Sequence, residues 1–219
     1  MTALSTAVGY AGQVAAEKIV YRETFPVADG EGLKLTDANW QAWVYSPGDA
    51  RVHRGAATYT VLMRDKPSQP ANAMPINAGV DVESPLATGM LVNWNGGTFW
   101  PNPTLYMTEE FAIDDASTLT RVAWFQNNQS EAGGFRVALK IGPTWIVSDE
   151  NFIGYGNRSL DISDAKWRHL NPADLSIDAE ATITEPPEGP LNAFGVYGNH
   201  SGYAELDTFT LHAQPAPGG

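Results

Sequence analysis

The most regular alternation in the chain places Phe135, Val137, Leu139 and Ile141 on one parity and Arg136, Ala138 and Lys140 on the other. That is the period of a half-buried β-strand. Gly142-Pro143 then turns the chain into Trp145-Ile146-Val147. Near the C-terminus two further β-like runs, 192–197 and 203–212, flank a turn at Gly198-Asn199-His200-Ser201-Gly202, the composition of a hairpin. Besides these two and the runs at 135–141 and 145–148, the other strand-like runs upstream fall at 18–25, 40–46, 56–62, 88–94, 104–111, 119–127 and 167–170. Trp40 and Trp43 are three apart, so a strand turns one to the core and the other away. About eleven short runs separated by turn chemistry predict an all-β, two-sheet antiparallel sandwich of the jelly-roll kind.

Three stretches break the alternation: 64–78, 149–166 and 178–190. Each is rich in Pro, Asn, Asp, Ser or Gly and is read as a surface loop. Residues 1–17 are small, weakly apolar and interrupted by Gly and Ser, and are read as an N-terminal arm. The sandwich is expected over 18–212, and the Pro/Gly-rich 213–219 as a tail. Asp114-Asp115 and the stretch from Asp161 to Asp164 are read as turns or caps.

Two acids sit on apolar parities. Glu23 shares its parity with Ile19, Tyr21 and Phe25, and Asp207 with Tyr203, Phe209 and Leu211. A carboxylate facing an apolar layer needs hydrogen-bond donors, a cation or a shifted pKa. Both therefore predict first and last strands that meet. They are also the candidate ligands for a structural Ca²⁺, with backbone hydrogen bonds or an ion pair as the alternative.

Composition narrows the function classes. A net charge of −12 over 219 residues argues against a phosphate-neutralising basic stripe, so neither nucleic acid nor an anionic membrane is an expected partner. With no cysteine there is neither a disulfide framework nor a thiolate metal site. The first 17 residues carry no Lys or Arg, so they lack the pattern of an export signal. The expected localisation is synthesis in the cytoplasm and display on a particle surface such as a virion, with an extracellular protein as the alternative. His53, His169, His200 and His212 show no metal-ligand spacing, and no nucleophile elbow or phosphate loop is present, so the chain reads as non-catalytic.

The best candidate for ligand chemistry is the segment from Leu91 to Pro103. There Asn95-Gly96 forms a turn signal between Trp94 and Trp100, with Asn102 following. Flat aromatic rings beside amide donors and acceptors suit the apolar faces and hydroxyl edges of sugars. Tyr155, in the stretch read as a loop, is the next candidate.

The runs from Phe111 to Val122, Gly134 to Lys140, Thr144 to Ser148, Leu191 to Tyr197 and Leu206 to Leu211 together resemble the jelly-roll, galactose-binding-like modules of carbohydrate-binding type. Those modules accompany polysaccharide-active enzymes and occur in extracellular bacterial proteins. The resemblance spans about 18–212. It implies a non-catalytic module that binds glycans through loop aromatics and holds a structural Ca²⁺ near its terminal strands, here at Glu23 and Asp207. Combined with the arm, this reading predicts a surface-displayed structural or recognition component of a larger assembly, such as a virion decoration, fibre or tail protein. Its expected partners are copies of itself or other structural proteins, and a polysaccharide or cell-surface glycan. The alternatives are a free-standing carbohydrate-binding module and, behind it, a polysaccharide lyase or hydrolase.

Overall fold

The computed structural model describes residues 16–23, 33–34, 39–48, 50–54, 61–64, 90–94, 103–108, 111–128, 134–198 and 203–214. Most of the predicted arm, most of the tail, and Asn95, Trp100 and Asn102 lie outside the described residues.

Among the described residues two seven-stranded antiparallel sheets pack as a sandwich. In the first, β11 (Gly154–Asp161), β8 (Leu119–Asn128), β14 (Tyr203–Ala213), β6 (Met90–Trp94), β5 (Val61–Arg64) and β2 (Leu33–Lys34) follow in that order, and β1 (Lys18–Glu23) also pairs with β14. The second runs β12 (Trp167–His169), β10 (Thr144–Ser148), β9 (Phe135–Ile141), β13 (Leu191–Gly198), β7 (Thr104–Thr108), β3 (Trp40–Ser46) and β4 (Arg51–Arg54). Among the described residues there is one 3-10 turn, Ala116–Thr118, and no α-helix. Asp115 caps that turn as expected, its carboxylate accepting the Ser117 N–H at 2.9 Å. The all-β sandwich predicted from the alternation is the fold.

Between the sheets the inward parity of β9 packs as read: Phe135, Val137, Leu139 and Ile141 are all buried. At the centre Phe209 lies in a ring of aromatics. It stacks on Phe194 at 5.6 Å and on Trp124 at 6.2 Å, with Trp40 edge-on at 5.6 Å. Offset and edge-to-face contacts of this kind stabilise beyond the area they bury.

The first and last strands meet, with Tyr21 opposite Leu211 and Glu23 opposite Phe209. On β1 the parity of Ile19, Tyr21 and Glu23 is half-buried while Lys18, Val20 and Arg22 are exposed, as the alternation predicted. Asp207 departs from its predicted face. Between Asp207 and Thr210 the strand bulges, with Thr208 at φ +46°. The extra residue flips the register, so Leu206 joins Phe209 and Leu211 on the core side. Asp207 falls opposite Phe125 on the outer face.

The stretch 149–166 was read as a loop and contains β11, paired along its full length with β8. Its sequence, Gly-Tyr-Gly-Asn-Arg-Ser-Leu-Asp, holds only two large apolar residues, because an edge strand draws its order from a neighbour's hydrogen bonds. β4 was missed for the same reason: Arg51–Arg54 is polar and pairs with β3 alone.

Candidate recognition surface

The second sheet is curled, and its outer face forms a second apolar cluster of Leu105, Met107, Ala138, Trp145, Val147 and Tyr197, closed over by Leu170 and Leu175. Trp43 on β3 and Trp145 on β10 are separated by four strand spacings, about 19 Å in a flat sheet. Their ring centroids are 6.0 Å apart. The hollow of the curl is therefore filled by its own side chains. At its margin Trp43 is half-buried, hydrogen-bonded to Gln41 at 2.8 Å and covered by the Arg54 guanidinium 4.2 Å from its centroid. Trp40 and Trp43 thus part to opposite faces as expected, yet both work in packing.

The first sheet carries a different surface at its β11 edge. Tyr155 is 40% exposed and Ile153 47% exposed, adjacent on one short segment. Tyr155 stands edge-on to Phe125 at 5.1 Å between ring centroids. Two glycines at positive φ, Gly154 (+89°) and Gly156 (+123°), turn the backbone so that three carbonyls converge on one guanidinium. Arg158 donates to Ile153 O at 2.9 Å, Tyr155 O at 3.3 Å and Asn157 O at 3.0 Å. Charge-assisted bonds of this kind are about twice as strong as neutral ones. From beneath, Gln126 is fully buried, accepts from Trp124 Nε1 at 2.9 Å and donates to Phe152 O and Gly154 O at 2.9 and 3.1 Å. The ring of Tyr155 is thus presented from a braced backbone. On the same strand the Oδ1 of Asn157, opposite Phe125, is buried with no hydrogen-bond partner.

Of the residues singled out from sequence, Tyr155 is the one whose exposed side chain is described. Trp94 ends β6, with its Cα opposite Tyr203 on β14. Asn95, Trp100 and Asn102 lie outside the described residues. Sequence reading missed Ile153, Asn157, Arg158 and Gln126. The pair of glycines flanking Tyr155, and a glutamine ending the apolar run from Val122 to Phe125, were the signals available.

Glu23 and Asp207 occupy adjacent strands but opposite faces. Glu23 is half-buried on the core side, where Tyr21 Oη donates to Glu23 Oε2 at 3.4 Å and itself accepts from Trp40 Nε1 at 2.7 Å. Burial raises the Tyr21 pKa well above its ordinary value, with the nearby Glu23 charge adding to it. Asp207 is fully buried, and its Oδ1 accepts from the Thr208 hydroxyl at 3.1 Å. Among the described residues no group of three or more His, Cys, Asp or Glu is placed to hold a metal ion. Nor is any helix among them long and apolar enough to cross a membrane.

A cleft of about 460 Å³ opens beside β11, lined by Asp149, Glu150, Ser159, Asp161, Asp164 and Lys166 with Leu160 and Ala165 at its base. Asp149 there is ion-paired to Arg168, whose hydrogen bond, foremost, holds its carboxyl below the usual range.

Comparison with protein-family models, curated proteins and solved structures found no match. What the chain's own residues define is a class, the two-sheet antiparallel β-sandwich.

Proposed function

We propose that this chain is a non-catalytic recognition component of a larger, surface-displayed assembly, and that it reads glycans with the platform built around Tyr155. The observation that carries the reading is one exposed aromatic ring on a backbone braced by Arg158 and Gln126. A side chain immobilised before binding loses little entropy on contact, and a phenol ring suits the C–H face of a pyranose. The resemblance to carbohydrate-binding jelly rolls points the same way.

Assembly is supported by the placement of exposed apolar residues. Val20 on β1 is 43% exposed, Tyr155 lies on β11 and Ile153 just before it, and β1 and β11 are each paired to one neighbour among the described residues. Strand edges with apolar side chains are natural contact sites for another chain. The net charge of −12 favours neutral or cationic partners over anionic ones.

Affinity electrophoresis against a panel of neutral and acidic polysaccharides tests the reading. Wild type should be retarded by at least one of them. Tyr155→Ala should bind it about tenfold more weakly, the loss of roughly 1.4 kcal/mol expected of one stacking contact. Its melting temperature should fall only by a few degrees, because the ring lies at the surface and packs on one side against Phe125. Arg158→Ala should weaken binding while leaving the ring in place, by loosening its support. Unretarded wild type across the panel, or Tyr155→Ala binding as wild type, refutes the glycan site. Light scattering that finds a monomer at all concentrations removes the self-assembly part of the proposal.

A further inference from the structure

The strands that end the two sheets are finished in different ways. In the second sheet β12 is only three residues long, and the returning chain lies along its far side, where Trp167 and Ile183 exchange both backbone bonds at 2.8 Å. At the opposite end β4 has four residues, with Arg51 and Arg54 both exposed. In the first sheet β2 has two residues. β11 is the long one. Its eight residues pair with β8 alone among the described residues, and exposed Ile153 and Tyr155 stand at its start. A long edge with apolar side chains is a template for another strand unless its backbone groups are occupied. The carbonyls of Ile153, Tyr155 and Asn157, two apart in the chain, share one edge of the strand. Arg158 donates to all three, and its bonds to Ile153 O and Tyr155 O lie open to solvent, on the side away from β8.

We propose that Arg158 seals this edge against a second copy of the chain, by holding the carbonyls that the copy's N–H groups would need for antiparallel pairing of β11 with β11. The seal is built into the strand through its glycines. A Cβ on Gly154 would lie 3.5 Å from Arg158 Nη2, and one on Gly156 3.6 Å from Nη1. The guanidinium is therefore laid back along the two positions that carry no side chain. Its fork suits the task. Nη2 serves the first two carbonyls at 2.9 and 3.3 Å and Nη1 the third at 3.0 Å. A guanidinium has no lone pair to offer an incoming N–H. An approaching strand would have to displace a charged donor, whose bonds are about twice as strong as the neutral ones it brings. A second copy is the occupant this arrangement addresses. Two β11 edges meeting about a two-fold axis would bury the exposed Ile153 and Tyr155 of each, and the same meeting sets one Arg158 edge against another of like charge. Where wild-type copies touch here, they do so through side chains, with the backbone edge kept closed.

Amide exchange at Asn157 and Ser159, whose N–H groups alternate onto the same edge as those carbonyls, tests this on the full chain. No polysaccharide is present, so the result stands apart from the glycan reading. In wild type the protection of these two amides should not change with protein concentration. In Arg158→Ala it should rise roughly tenfold over a concentration increase of about a hundredfold, with a matching rise in mass by light scattering. Arg158→Gln, whose amide cannot span three carbonyls, should behave the same way and serves if Arg158→Ala does not fold. Adding Ser159→Pro to either variant removes one N–H from the edge, and Asn157 should then return to wild-type behaviour. Concentration-dependent protection in wild type overturns the proposal. So does its absence from the folded Arg158 variant, or its persistence at Asn157 beside Ser159→Pro.

Discussion

Gly195→Ala is expected to destabilise the protein by more than about 4 kcal/mol, enough to leave little folded protein. Gly195 sits in the middle of β13, opposite Met107 on β7 and Ala138 on β9. A Cβ added there would lie 1.9 Å from Tyr106 O and 2.7 Å from Met107 Cα. Both are backbone atoms, so no rotamer change relieves the overlap and the strands themselves must part. They cannot part without uncurling the sheet, whose close approach at this point brings Trp43 to Trp145 and closes the outer cluster. Gly142→Ala is the natural control. It has φ +54° and nothing within 4 Å, so it should lose only the left-handed strain of about 1–2 kcal/mol. Urea unfolding midpoints of the two variants should differ widely, and equal midpoints would mean that the curl does not depend on the missing side chain.

Gln126→Leu is expected to cost about 3 kcal/mol and, with it, the order of the recognition surface. The substitution is close in volume and apolar, so packing is nearly kept and the loss reports the polar contacts. Trp124 Nε1 is left as a fully buried donor with no acceptor. Phe152 O keeps its bond from the Phe135 N–H at 3.0 Å and is the least affected. Gly154 O loses the Gln126 bond at the point where β11 begins. Amide exchange over 152–156 should accelerate while the Phe209 aromatic cluster stays protected. Stability close to wild type would show that buried water replaces the glutamine and that the brace beneath Tyr155 is not needed.

Much of the sandwich was legible because strands that face a core on one side must alternate. Lys18–Glu23, Trp40–Ser46, Phe135–Ile141 and Leu191–Gly198 could be placed from their parities alone, and so could the meeting of β1 with β14. Where a strand has no apolar face of its own, the pattern falls silent. β11 was read as a loop because Gly154, Gly156, Asn157 and Ser159 carry no alternation, and yet β8 pairs with it from Asn128 to Arg121. The candidate surface followed from the same omission. Tyr155 was noticed, but not Arg158 or Gln126, since a guanidinium that gathers three carbonyls acts through geometry across residues that carry no motif.

What the amino-acid order determined by itself is local: which residues alternate, where glycine and proline forbid continuation, and that the chain carries no thiol. These depend on side-chain chemistry and a two-residue period, and both are present in any stretch of chain. Only the tertiary structure decided the face of Asp207, since one bulged residue at Thr208 inverts every parity beyond it. The tertiary structure alone also set Arg121 within hydrogen-bonding distance of both Glu17 and His212, which lie 104 and 91 residues from it in the chain. Contacts of that span arise from strand pairing and curl, which are properties of the whole sheet and have no trace in the residues taken one neighbourhood at a time.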